Sequence, residues 1–133
     1  MGFLLDTDIC SFHLKGMSQV FSRVMQHAGQ LHVSALTVGE LYVWALRTRS
    51  TPRHREELER FLGDMQIQPV DQRVAICFGE LQAALRDRGR PAPAIDLFIA
   101  ATAISHGLTL VTHNVADYAE VPGLSVVDWS TTG

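Results

Sequence analysis

The stretch 3–8 constrains the fold most, because an apolar run near the N-terminus ends there in two carboxylates. Its order is Phe-Leu-Leu-Asp-Thr-Asp, and an apolar run bounded by polar residues is typical of a buried strand. In an open α/β sheet, ligands bind outside the carboxyl ends of the strands. A carboxylate at that point is well placed for chemistry and poorly placed for packing. We therefore predict that Asp6 belongs to an acidic metal site, to which later segments bring further carboxylates.

The rest of the chain alternates short apolar segments with longer amphipathic ones. We expect strands over 31–34, 67–70 (a strand or an extended link), 108–112 and 125–128, helices over 8–15, 18–28, 37–49, 52–65, 72–88 and 94–106, a loop over 89–93, and a short helix or turn over 114–118. This alternation favours a parallel sheet with helices on both faces. The predicted fold class is α/β, a three-layer α/β/α arrangement around a central, mainly parallel sheet, with residues 1–133 forming one domain.

Composition excludes several classes of protein. Hydrophobic residues make up 47% of the 133 residues and charged residues 19%, which is typical of a globular chain and not of a disordered one. No apolar run approaches the roughly 20 residues that span a bilayer, and the N-terminus lacks the basic start of a signal peptide. We therefore expect a cytoplasmic protein. Cys10 and Cys77 lie among apolar residues and are predicted to be free thiols.

The positive charge is almost entirely arginine: ten of the eleven basic residues are arginine, and Lys15 is the exception. The arginines cluster at 47–55 and at 86–90, although the formal net charge of the chain is −3. Guanidinium groups suit bidentate contact with phosphate. Cations are also favoured in the last turn of a helix, so each cluster fits either a phosphate-binding surface or a solvated helix end.

Three acids, Asp6, Glu40 and Asp96, lie where a predicted helix begins after a strand or a loop. Each also has a purely structural explanation. Asp6 fits the N-cap of the first helix, and Asp96 fits a first turn, where the helix dipole favours an anion. Glu40 fits the third helical position of a capping box that starts at Thr37. Taken singly, each acid is explained by the helix that it begins.

The three acids together favour a metal site. Strand ends and helix starts share one edge of a parallel α/β sheet, so these side chains can converge. Carboxylates that lie close together repel one another unless a cation holds them. Oxygen ligands without paired histidine or cysteine suit Mg²⁺ or Mn²⁺ better than zinc, and such an ion polarises phosphate esters and activates water. The sequence contains no Walker loop, dinucleotide fingerprint, zinc spacing or nucleophile elbow.

Four segments, taken in order, form a specific pattern: they are residues 3–8, 33–41, 95–103 and 110–114, followed by closing segments at 121–124 and 128–129. Together they resemble the PIN-domain nucleases, and most closely the VapC toxins of bacterial toxin–antitoxin pairs. The order and the approximate spacing match, and the resemblance covers essentially the whole chain. Each motif is weak alone, so the specificity of the resemblance lies in their order.

The resemblance implies a Mg²⁺- or Mn²⁺-dependent endoribonuclease. Asp6, Glu40 and Asp96 match the three acidic positions of the family, where they would be metal ligands and catalytic residues. The family often has a fourth acid just after the fourth strand. Asn114 occupies that position here, and we expect it to orient a water without supplying charge. Asp117, one turn later, either substitutes for that acid or is an ordinary surface residue.

Neighbouring residues are expected to support these acids. Thr7 and Thr112 would steady the carboxylates through their hydroxyl groups, with Asp117 beside them. The role of Asp8 stays open, because its position is more often a small polar residue in the family. His113 also lies beside the site, and we expect an exposed histidine there and not a general base.

The expected reaction is hydrolysis of an RNA phosphodiester, which leaves a 5′-phosphate and a 3′-hydroxyl. The likeness to VapC suggests tRNA as the substrate, with the arginines of a homodimer following the RNA backbone. It also implies a VapB-like antitoxin, whose basic side chain would enter the acidic site. The helices over 18–65, with Phe21, Tyr42 and Trp44, are where we expect the groove for this antitoxin, unless these aromatic residues are ordinary core.

Two other functions fit part of the sequence. A haloacid dehalogenase-like phosphatase would use the two aspartates of the stretch 3–8 as nucleophile and general acid, and Thr112 in its second motif. That family needs a later lysine, however, and Lys15 comes too early. A PIN fold kept only as a binding module would fit the absence of an acid at Asn114. The three intact acids argue against that alternative.

Overall fold

The computed structural model describes residues 2–47 and 49–131. Its strands are β1 (Phe3–Leu5), β2 (Leu31–Ser34), β3 (Gln66–Gln68), β4 (Thr109–Val111) and β5 (Val126–Val127). Its helices are α1 (Thr7–Leu14), α2 (Ser18–Gln26), α3 (Ala35–Leu46), α4 (Pro52–Gly63), α5 (Gln72–Asp87) and α6 (Ala94–Ser105), and a 3₁₀ turn covers Val115–Tyr118. The elements follow the predicted order, and most of their ends differ from the prediction by a few residues.

The five strands are parallel and stand in the order β3-β2-β1-β4-β5. β1 is central, since Leu4 pairs with His32 of β2 on one side and with Leu110 of β4 on the other. The order therefore reverses at β1, and in an open α/β sheet such a reversal leaves a crevice at the carboxyl edge. This arrangement confirms the predicted three-layer α/β/α fold and adds the strand order, which the sequence did not determine.

Alternate side chains of β1 enter two apolar cores, one on each face of the sheet. Leu5 packs in the core formed with α1 to α4, and Leu4 packs in the core formed with α5 and α6. Both leucines are fully buried. Burial of one leucine side chain contributes about 1.5–3 kcal/mol, so this pair ties both helical layers to the strand that leads into Asp6.

Helix α3 begins earlier than the sequence predicted. Ser34 is its N-cap, and Ser34 Oγ accepts a hydrogen bond of 3.1 Å from the backbone amide two residues later. Thr37 therefore lies inside the helix and is fully buried. The predicted capping box from Thr37 to Glu40 is wrong, because the cap lies at Ser34, and Glu40 needs another explanation.

Other predictions concern single positions. The expected extension of α3 to Arg49 crosses Thr48, which lies outside the described residues, and the helix ends at Leu46. Cys10 is buried and Cys77 half-buried, and both are free thiols, as expected. Among the residues that the structure describes, no helix is both long and apolar enough to cross a membrane.

A buried glutamine fixes the loop that leads into α6. Gln82 Nε2 donates to the carbonyl oxygen of Ala92 at 2.8 Å, and Gln82 Oε1 accepts from the Ala92 amide at 3.1 Å. The side chain thus pairs with Ala92 as a neighbouring strand would. Pro91 and Pro93 have no amide proton to donate, so Ala92 is the residue through which this short segment can be held on both sides. The contact sets where α6 begins.

Replacement of Gln82 by leucine should lower the free energy of unfolding by about 1–3 kcal/mol, because both backbone groups of Ala92 would lose their partner. Urea unfolding followed by circular dichroism would measure the change. Gln72→Leu, at the exposed start of α5, is the matched control and should change stability by less than about 0.5 kcal/mol. Equal effects of the two substitutions would show that Gln82 does not anchor the loop.

Candidate active site

The fold brings the predicted acids to the carboxyl edge of the sheet. Asp6 follows β1, the helix that carries Glu40 follows β2, and Thr112 and Asn114 follow β4. Helix α6 runs back toward the start of β4, so its first turn, with Asp96, lies at the same edge. The crevice where the strand order reverses is therefore the candidate active site.

Three hydrogen bonds hold the Asp6 carboxylate in one orientation. Its Oδ1 accepts from the Thr7 amide at 2.8 Å, as the N-cap of α1. Its Oδ2 accepts from Thr112 Oγ1 at 2.9 Å and from Tyr118 Oη at 3.0 Å. Asp6 is only 8% exposed, and a carboxylate buried this far must be satisfied by donors. Asp6 therefore caps α1 and also belongs to the candidate site.

Glu40 lies in the second turn of α3, beside the start of α1. Thr7 Oγ1 donates to Glu40 Oε1 at 2.6 Å, and Thr7 Oγ1 lies 3.1 Å from Thr37 Oγ1. A hydroxyl has a single proton, so the shorter contact assigns the proton of Thr7 to the carboxylate. The Thr7 hydroxyl thus supports Glu40, while only the backbone amide of Thr7 contacts Asp6.

Asp96 lies within electrostatic reach of three other acids. Its pKa is raised above the ordinary value of 3.8, first by partial burial and then by the negative charges of Asp6, Asp117 and Glu40. Asp117 is exposed on the 3₁₀ turn and belongs to the group through its effect on Asp96. We call these four residues the acidic cluster. The sequence predicted the convergence of three of them and left the position of Asp117 open.

Asp8, which the sequence left unassigned, contacts the segment after β4. Its Oδ2 accepts from the His113 amide at 3.1 Å and from Asn114 Nδ2 at 3.2 Å. Burial, and then the negative charge of Asp6, raise the pKa of Asp8 to about 6. The exposed imidazole of His113 contacts the C-terminal segment, with Nδ1 2.7 Å from Ser130 Oγ. This position fits the predicted surface histidine and not a general base.

The donors of the acidic cluster fit a hard divalent cation. They are carboxylate oxygens, and a cation would relieve the mutual repulsion that helps to raise the pKa of Asp96. Within the described part of the chain, no three acidic, histidine or cysteine side chains lie close enough together to hold one ion. Asp6, Glu40 and Asp96 are the residues that could close around a cation.

Tyr118 was missed by the sequence reasoning, although it contacts the most buried acid. It is 3% exposed, and burial, followed by the charge of Asp6, raises the pKa of its hydroxyl, which therefore stays a donor. One signal was present, since Tyr118 is the single tyrosine, tryptophan or phenylalanine in the segment 112–120 that follows β4. The acceptor of its hydroxyl could not be inferred, because Asp6 lies 112 positions away in the sequence.

Comparison with known proteins identifies the family. The family model of the PIN domain matches residues 3–124. The tRNA(fMet)-specific endonuclease VapC of Shigella flexneri is 33% identical over 129 residues, which cover 96% of this chain and 98% of that protein. Ribonuclease VapC2 of Haemophilus influenzae is 34% identical over 128 residues, which cover 96% of this chain and 97% of that protein. The chain therefore belongs to the PIN-domain family, and within it to the VapC ribonucleases.

A solved structure extends the match to three dimensions. The DNA-bound VapBC structure from Salmonella typhimurium contains a chain that superposes on this one with a TM-score of 0.90 at 29% identity. The superposition covers 97% of this chain and 98% of that chain. The order of motifs that indicated the family in the sequence is thus accompanied by the same fold over nearly the full length.

In metal-free protein, Asp8 should raise the free energy of unfolding as the pH falls from about 7 to about 4.5, against the opposite contribution of His13 and His32, whose pKa is lowered by burial. The pKa of Asp8 is about 6 in the folded protein against an ordinary 3.8, so the folded state binds a proton in this window that the unfolded chain releases. This contribution is present at low pH and is lost as the pH rises through the folded-state pKa.

Urea unfolding in a chelator at the two pH values would measure the effect. Asp8→Asn should remove the contribution of Asp8, whereas the control Glu80→Gln, at an exposed position on α5, should keep it. An identical pH dependence in the wild type and in Asp8→Asn would contradict the raised pKa.

Proposed function

We propose that this protein is the toxin of a VapBC-type toxin–antitoxin pair and acts as a divalent-metal-dependent endoribonuclease. The observation that carries the proposal is the acidic cluster at the carboxyl edge of the sheet, in a chain of the PIN-domain family. The proposed substrate is tRNA, since the Shigella relative is named a tRNA(fMet)-specific endonuclease. Because tRNA is the substrate, we place the activity in the cytoplasm.

Asp6, Glu40 and Asp96 are the residues that would hold Mg²⁺ or Mn²⁺. When bound, the cation supplies a Lewis acid for the scissile phosphate and lowers the pKa of a water. The contribution of the chain is preorganisation. Thr112 and Tyr118 already hold the Asp6 carboxylate, so this group does not have to reorient as negative charge develops on the phosphate.

Thr7 and Asn114 complete the polar surroundings of the proposed site. Thr7 Oγ1 donates a hydrogen bond to Glu40 Oε1. The other carboxylate oxygen of Glu40 can then accept a hydrogen bond from the attacking water. Asn114 offers a neutral amide beside the acids, and Asp117 offers the additional negative charge that Asn114 lacks. In-line attack by water would leave a 5′-phosphate and a 3′-hydroxyl.

The arginines at 86–90 are better suited to contact RNA phosphates than those on α4. They are exposed around the loop that leads into α6, and Arg90 Nη1 lies 3.5 Å from Glu120 Oε1, just after the 3₁₀ turn. Arg90 therefore lies near the turn that carries Asp117 of the acidic cluster. Arg53 and Arg55 also form ion pairs, of 2.8 Å, but with glutamates one turn along their own helix α4, which supports the solvated-helix explanation for these two.

A VapB-like antitoxin is the proposed partner, and the groove between α2 and α4 is its proposed binding surface. The groove has a volume of about 650 Å³, and Phe21 and Met25 along it are 48% and 58% exposed. An apolar face of the antitoxin would cover these side chains, and a basic residue beyond it would reach the acidic cluster. Tyr42 and Trp44 are half-buried against the core and do not line the groove. We also propose that this chain forms a homodimer.

The rival functions have less support. In a haloacid dehalogenase-like phosphatase a lysine must approach the reacting phosphate, but Lys15 is exposed just beyond the far end of α1. That helix begins next to Asp6 and is roughly 12 Å long at 1.5 Å per residue. A binding module without catalysis would have no need of four carboxylates that repel one another at one edge of the sheet.

Purified protein with Mg²⁺ should cleave tRNA, and Asp6→Ala should cleave it at least about 100-fold more slowly, because the central carboxylate is lost. Sequencing of the 5′-phosphate ends would identify the bond. Glu80→Gln is the control, and it should cleave like the wild type. Cleavage that persists in Asp6→Ala would exclude this site as its source, and 5′-hydroxyl ends would exclude the proposed hydrolysis.

Mn²⁺ should bind to the wild type in isothermal titration, and the isosteric Asp96→Asn should bind it at least about tenfold more weakly. The same titration should show Glu80→Gln to be unaffected. Unchanged affinity in Asp96→Asn would mean that the metal lies elsewhere. Failure of the wild type to bind any Mn²⁺ would favour the binding module over the nuclease.

A further inference from the structure

One carboxylate oxygen of Asp8 lies close to several hydrogen-bond donors of the segment that follows β4. Its Oδ2 accepts from the His113 amide at 3.1 Å and from Asn114 Nδ2 at 3.2 Å, and it lies 3.4 Å from Thr112 Oγ1. We infer that Asp8 is a positioning residue for the proposed reaction and acts by fixing the amide orientation of Asn114. The inference rests on the proposed nuclease function, because it gives Asn114 a place in that reaction.

The chemistry of Asp8 decides which way the Asn114 amide points. An ionised carboxylate only accepts hydrogen bonds, so Asn114 must turn its NH₂ group toward Asp8. The amide oxygen then faces away from Asp8, and the exposed side chain presents it as an acceptor. Such an oxygen can accept a hydrogen bond from the attacking water or from an RNA hydroxyl, without adding charge to the acidic cluster.

A neutral amide at position 8 would not fix Asn114 in the same way. Asp8 Oδ1 accepts from the Ile9 amide at 2.7 Å, so both oxygens of the side chain face donors. An asparagine at position 8 would direct its own NH₂ group, which is a donor, at one of these donors, and that donor would have no acceptor. The Asn114 amide could then rotate by a half-turn and present NH₂ in place of oxygen.

A second contact ties Asn114 to Asp6. The Asn114 backbone amide donates to Thr112 Oγ1 at 3.2 Å, and that hydroxyl donates to Asp6 Oδ2 at 2.9 Å. One contact therefore places the backbone of Asn114 beside the most buried acid, and the contact with Asp8 sets its side chain. If Asp8 only interacted favourably with the dipole of α1, its side chain could stay in solvent. Asp8 is instead partly buried, near the carboxylate of Asp6.

Steady-state tRNA cleavage would test the inference with Asp8→Asn, Asn114→Ala and the double variant, together with the control Glu80→Gln. Each single substitution should lower kcat about tenfold with little change in KM. The double variant should match Asn114→Ala within about twofold, because Asp8 has nothing left to orient. A double variant slowed about 100-fold would mean that the two residues act independently, and full activity of Asp8→Asn would also overturn the inference.

Nuclear magnetic resonance of metal-free protein gives a readout that does not depend on activity. The side-chain NH₂ signal of Asn114 should shift in Asp8→Asn and stay in place in Glu80→Gln. An unmoved signal in Asp8→Asn would overturn the inference whatever the kinetics show. If the wild type cleaves no RNA while the signal shifts, the proposed nuclease function fails and the orientation of Asn114 by Asp8 stands.

Discussion

The arrangement of the carboxyl edge depends on satisfying one buried carboxylate, that of Asp6. A buried polar group without partners costs several kcal/mol, so the fold must deliver donors to it. They come from the first amide of α1, from Thr112 after β4 and from Tyr118 on the 3₁₀ turn. The strand that leads into Asp6 is fixed in turn by two buried leucines, one in each core. The contacts that build the site are therefore also contacts that hold the fold together.

The central sheet separates two surfaces that meet at this edge. On one face, α2 and α4 leave exposed apolar side chains along a groove. On the other face, α5 and α6 pack closely, and Gln82 fixes the arginine-rich loop before Asp96. A protein partner and an RNA would thus use different layers of the molecule. Both would reach the acidic cluster, because β1 ends between the two layers.

Local signals made part of the site predictable from the sequence. Asp6 directly follows an apolar strand, and Asp96 lies in the first turn of a helix after a proline loop, so both positions followed from their neighbours in the chain. Of the two explanations of Glu40, the capping box is wrong, because Ser34 and not Thr37 caps α3, and the metal-site role stays a prediction. The roles of Tyr118 and Asp8 could not be assigned, since their partners depend on the pairing of β1 with β4. Strand order cannot be inferred from local sequence.

The pairing of β1 with β4 also determines when the site can exist. Leu5 lies opposite Val111, and Asp6 and the threonine that holds it are 106 positions apart. Contacts between such distant residues close a long loop and form late in folding. On the ribosome, β1 emerges early and must wait for β4 before the carboxylate that follows it acquires its donors. The nascent chain therefore carries no assembled centre until most of it has been synthesised.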